Sequence, residues 1–94
     1  MRKKIVAGNW KMNGDQSSSK SLYNALADAS DSFPANVEVM VAPAFIFLNE
    51  LNQENTTKVK VIAQNCADNE SGAFTGEVSP LMLKSIGINS VIVG

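Results

Sequence analysis

A chain of 94 residues, 45% hydrophobic and 18% charged, has the makeup of one globular domain or of a piece of a larger one, and is not disordered on composition. A formal net charge of -1 and a pI near 5.2 leave no basic footprint for a nucleic-acid backbone, so nucleic acid is not an expected partner. No stretch approaches a membrane span, and only Ile5, Val6, Ala7 and Gly8 separate the basic start from Asn9, too few for the apolar part of a signal peptide; a cytoplasmic location with no membrane partner is the expectation. Cys66 is the single cysteine and histidine is absent, which excludes an internal disulfide, a multi-thiolate metal site and a histidine-activated nucleophile.

The apolar run from Ile5 to Gly8 predicts a strand covered on both faces. After a loop ending at Gly14, Asp15 or one of Ser17, Ser18 and Ser19 is suited to cap a helix, and Leu22, Leu26, Ala29 and Phe33 recur at helical spacing until Pro34. Val37 to Val41 predicts a second strand, closed by Ala42 and Pro43. A helix follows with Phe47, Leu48 and Leu51 on one face, and a TTK spacer (Thr56, Thr57, Lys58) ends it. "VKVIA" from Val59 to Ala63 is the third strand. It leads into a long polar loop, from Gln64 to Gly76, of the kind that is usually functional or interfacial. Ser79 as cap, Pro80 at the first helical position and Gly87 as a left-handed stop punctuate a third short helix. Ser90 to Val93 predicts a fourth strand.

Strands alternating with helices specify a parallel sheet with right-handed crossovers, hence the α/β class. Two architectures satisfy this order: an open doubly wound sheet, or part of an eight-stranded barrel, which takes about 250 residues in all. In either one the ligand site lies at the carboxyl ends of the strands, which places Asn9, Pro43, Gln64 and Gly94 on one rim.

If residues 9–11 stay extended, Asn9 and Lys11 share one face and Trp10 takes the other. An amide that orients a lysine and a lysine that holds an anion would then project into the mouth of the sheet. The spacing fits equally a lysine that merely solvates a loop, and the two readings stay open on spacing alone. There is no glycine-rich dinucleotide or phosphate loop and no metal-ligand cluster in the sequence, so neither a cofactor nor a metal is expected. Glu70 and Glu77 have the chemistry of a base but read as solvated surface.

The segments "AGNWKMNG", "VAPAF", "AQNC", "SGAFTGEVSPLMLKSIG" and "VIVG" together resemble, in order and through the whole chain, the N-terminal part of the triosephosphate isomerase family. The resemblance implies a TIM (β/α)8 barrel, with residues 1–94 as the N-terminal half of one barrel domain holding its first four strands and three helices. It implies interconversion of dihydroxyacetone phosphate and glyceraldehyde 3-phosphate without cofactor or metal, in glycolysis and gluconeogenesis, by a cytoplasmic homodimer. Asn9 and Lys11 match the family's substrate-binding pair, with Lys11 also serving catalysis. The loop from Asn65 to Glu77 matches the segment that inserts into the partner subunit, with Phe74, Thr75, Gly76 and Glu77 at the interface. The family's catalytic histidine follows the glycine matching Gly94, and its glutamate base lies later still; the family is known for pairing that glutamate base with a neutral histidine, and residues 1–94 contain neither. The expectation is therefore that the 94 residues alone are inactive. The alternative from another class is a free-standing half-barrel without catalysis.

Overall fold

Three parallel strands in the order β1-β2-β3 form the sheet of the computed structural model, which describes residues 2–55 and 58–94. The strands are β1 (Lys4–Asn9), β2 (Val37–Ala42) and β3 (Val59–Val61), and helices α1 (Gln16–Ala29), α2 (Phe45–Gln53) and α3 (Pro80–Ser85) complete the order. In register, Lys4 lies opposite Val37, Asn9 opposite Ala42, and Met40 opposite Lys60. The predicted α/β alternation is therefore present. The TTK spacer's Thr56 and Thr57, like Met1, lie outside the described residues.

Local chemistry explains where the helices start. Asp15 caps α1 by accepting from the Ser18 amide at 2.8 Å while the Ser18 hydroxyl accepts from the Asp15 amide at 2.9 Å, a reciprocal capping box. The backbone amide of Ser18, and then its hydroxyl, hold the Asp15 carboxyl below its ordinary pKa. Ser79 caps α3 by accepting from the Met82 amide at 3.1 Å, with Pro80 at the first helical position and Gly87 left-handed at φ 83. Lys20 of α1 bridges Glu54 at 3.0 Å and Glu50 at 3.6 Å, and Gln16 donates to Glu50, so the two helices lie side by side.

The core lies between one face of the sheet and this helical layer. Val41, Val59, Val61 and Ala63 meet Tyr23 of α1, Leu48 and Leu51 of α2, and Leu83 and Ile88 around α3. Leu48, Leu51 and Phe47 take the places predicted for α2. The predicted face of α1 is rotated: Ser19 and Tyr23 are buried, as is Ser30 just past the helix end, whereas Leu22 and Ala29 are exposed and, of the predicted set, only Leu26 and Phe33 pack against the core. The cause is Tyr23, whose ring fills the core while its hydroxyl donates to the Val59 carbonyl at 2.9 Å. Tyr23→Phe in the full-length protein is expected to cost about 0.5 to 1.5 kcal/mol. A lowered denaturant midpoint with an unchanged slope would show it; an unmoved midpoint would mean that this bond adds nothing net.

Two strand expectations are corrected. The first strand is not covered on both faces: Ile5 and Val6, neighbours on opposite faces, are 61% and 57% exposed, because β1 pairs on one side only among the described residues and the helices cover other strands. The run from Ser90 to Val93 is not a full fourth strand. It makes one parallel bridge, Val91 to Ala63, in which the Ala63 amide donates to Ser90 at 3.0 Å and the Ile92 amide donates to Ala63 at 2.9 Å. The chain bends at Gln64, immediately after that rung, so no second rung forms. Among the described residues no helix is long and apolar enough to cross a membrane.

Candidate functional site

Asn9 is the last residue of β1, and the strand stays in register to that point because the Trp10 amide still donates to the Ala42 carbonyl at 3.0 Å. Trp10 is half-buried and packs against the core. At Lys11 the extended chain breaks. Its φ is 57, the left-handed region, and it is the one non-glycine residue there among the described residues. That conformation costs an unbranched L-residue about 1 to 2 kcal/mol and persists only where neighbours hold it. The expected extended path from Asn9 to Lys11 is therefore replaced by a turn, in which the Asn9 side chain meets the backbone of Lys11.

Two side-chain amides hold that turn. The Asn9 Oδ1 accepts from the Lys11 backbone amide at 2.9 Å, and the Gln64 Nε2 donates to the Lys11 carbonyl at 2.8 Å. The same Gln64 nitrogen donates to the Ala42 carbonyl at 2.8 Å, so one side chain past β3 ties together the carboxyl ends of β1 and β2. The Asn13 amide adds a bond to the Trp10 carbonyl at 2.9 Å. The Lys11 ammonium is thus carried on a fixed backbone at the rim, with its side chain exposed. Sequence reasoning put Gln64 on this rim without giving it a task. Its only signal was a polar residue directly past an apolar strand.

Beside the turn, Trp10, Asn13, Gly14, Ser18, Ser19 and Leu22 line an open groove of about 240 Å³. The loop beyond β3 is exposed throughout residues 68–77, and its base is closed by the Ala67 amide donating to Val78 at 2.7 Å. Phe74 is half exposed and lays its ring over Gly72, whose φ of 139 favours glycine and where a Cβ would lie 2.7 Å from the ring and displace it. Thr75, Gly76 and Glu77 are exposed, and the Glu77 amide donates back to Phe74 in a tight turn at the tip. Cys66 is a half-buried free thiol. Among the described residues no cluster of histidine, cysteine, aspartate and glutamate is placed to hold a metal ion.

A family model described as Triosephosphate isomerase matches residues 4–94. The chain belongs to the triosephosphate isomerase family. Its parallel sheet and helices are part of the TIM barrel of that family, which decides between the two architectures left open by the element order. Similar proteins include the triosephosphate isomerase of Flavobacterium johnsoniae, 48% identical over 96 residues, which cover 100% of this chain and 38% of that protein. The triosephosphate isomerase of Flavobacterium psychrophilum is 46% identical over 95 residues with the same coverage. A plant relative from Stellaria longipes, named a cytosolic triosephosphate isomerase, is 43% identical over 93 residues, covering 99% of this chain and 36% of its own. The chain thus spans about 38% of the length of the bacterial triosephosphate isomerases it matches.

Proposed function

We propose that these residues form the N-terminal part of a single barrel domain in a cytoplasmic triosephosphate isomerase, and that they supply the substrate-binding Asn9 and Lys11 of its active site. The observation that supports this is the Lys11 backbone, held in a costly left-handed turn at the carboxyl rim of the sheet by Asn9 and Gln64. Strain maintained by two side-chain amides around an exposed cation makes sense where that cation has a task.

The task follows from the chemistry. In the interconversion, a base removes a proton from the hydroxymethyl carbon of dihydroxyacetone phosphate, and the electron pair moves onto the carbonyl oxygen to give an enediolate. A proton then passes from the hydroxyl on that first carbon to the oxygen on the neighbouring carbon, and return of a proton to the neighbouring carbon gives the aldehyde. Charge on the substrate oxygen grows during the first transfer, while the phosphate is negative throughout. A lysine on a rigid backbone stabilises both without reorganising during the reaction. The base belongs to parts of the enzyme outside these residues, and neither a cofactor nor a metal has a place in this scheme.

The exposed loop from Asn65 to Glu77 is the proposed contact with a second subunit, with Phe74, Thr75, Gly76 and Glu77 at its tip. Its apolar ring and closed base suit insertion into a pocket better than a core of its own. A protein carrying these residues at the full length of its relatives is expected to interconvert the two triose phosphates without added metal and to have twice the chain mass by light scattering. Absence of turnover in a folded protein would overturn the catalytic assignment, and a monomeric mass would overturn the interface.

A further inference from the structure

We infer that Gln64 is a positioning residue for Lys11, acting by holding the Lys11 carbonyl and the end of β2 at a fixed distance from each other. The inference rests on the proposed role of Lys11 and extends it to a residue that touches no substrate. Lys11 is left-handed, and each end of its backbone unit meets one side-chain amide: Asn9 Oδ1 accepts from its nitrogen at 2.9 Å and Gln64 Nε2 donates to its oxygen at 2.8 Å. The Asn9 contact is local, two residues away, and fixes the turn without fixing where the turn sits. The Trp10 amide ties the start of the turn to Ala42, and the Gln64 contact, which spans 53 residues, adds the tie at the Lys11 carbonyl itself.

A second bond from Gln64 makes that tie rigid. The Gln64 amide nitrogen has two hydrogens and two partners, Lys11 and the Ala42 carbonyl, each at 2.8 Å. Ala42 is fully buried, is the last residue of β2 and also receives the Trp10 amide. The turn carrying Lys11 is therefore referred to the best-packed strand end of the sheet. Both partners of Gln64 are carbonyl oxygens, so the position demands a donor. A carboxylate, which only accepts, would oppose two carbonyls, and a methionine of similar length would deprive the Lys11 carbonyl of this donor and leave Ala42 with the Trp10 amide alone.

The test uses the full-length isomerase, with Gln64→Met and Gln64→Glu each made alone and in a Lys11→Met background. Each lost hydrogen bond is worth roughly 2- to 12-fold. The single variants are expected to lower kcat/KM by about 5- to 50-fold, and to weaken competitive inhibition by inorganic phosphate in proportion. In the Lys11→Met background the same substitutions are expected to change kcat/KM less than about twofold, because the group they position is gone. Circular dichroism and dimer mass are measured in parallel, to restrict the comparison to folded dimers. Gln64→Glu tests the donor requirement independently should Gln64→Met fold poorly. Single variants with parental kcat/KM would overturn the inference, as would losses of equal size with and without Lys11, which would mark Gln64 as structural only. If instead Lys11→Met alone keeps parental turnover, it is the role of Lys11 that fails, a separately readable outcome.

Discussion

Lys11→Met in the full-length enzyme is expected to lower kcat by about 10²- to 10³-fold while the unfolding midpoint stays within about 0.5 kcal/mol of the parent. The two halves of that statement have different origins. Among the described residues no ion pair engages the exposed Lys11 side chain, and methionine is equally unbranched, so the left-handed turn suffers the same strain with either residue. The backbone bonds from Asn9 and Gln64 do not involve the side chain and persist. The loss is therefore confined to the ammonium. In its proposed role it faces a charge that develops on the substrate, and a preorganised cation shielded from water acts on such a charge far more strongly than in bulk solvent. Steady-state kinetics with a thermal melt check both halves. Near-parental turnover would remove Lys11 from the mechanism, whereas a large fall in the midpoint would show that its role is structural.

How much of this was legible in the sequence depends on whether the signal was local. Asp15, Ser79, Pro80 and Gly87 act on backbone groups within four residues, and each sits where its chemistry required. The α/β order was legible for the same reason, since each apolar run and each helical period is self-contained. Tyr23 was hidden because its burial follows from a carbonyl on β3, 36 residues away, which overrides the Leu22 to Phe33 periodicity. The cover of β1 was misjudged because an apolar run records what a strand is built to meet, and among the described residues nothing lies on its free side. At the site, Asn9 and Lys11 were legible as a pair, but their geometry was not. A non-glycine residue at positive φ has no signature in composition or spacing, and only the two amides around Lys11 explain it. Gln64 escaped for the same reason as Tyr23: its partners are distant in the chain.

The 94 residues expressed alone are expected to self-associate and to lack isomerase activity. Val6 and Ile5 leave opposite faces of β1 open, and the second edge of that strand offers unpaired amides and carbonyls among the described residues. Met12 at 96% and Val93 at 79% exposure add apolar surface at the carboxyl end of the sheet. Three strands and one bridge cannot close a barrel, which is the arrangement that removes sheet edges altogether. The cheapest way to cover the open edge is another copy of the same edge, so association should rise with concentration. Catalysis fails on separate grounds. In their proposed roles Lys11 and Asn9 bind an anion and stabilise charge, but moving a proton between adjacent carbons needs a positioned base, and each acid or base group contributes roughly 10² to 10⁴ in rate. The sequence has no histidine, and Glu70 and Glu77 are exposed on the loop. Light scattering across a dilution series, with an assay of the purified polypeptide, decides both points. A monodisperse monomer would show that the exposed edge is tolerated and would favour the free-standing half-barrel reading, while substantial turnover would mean that a base among these residues has gone unidentified.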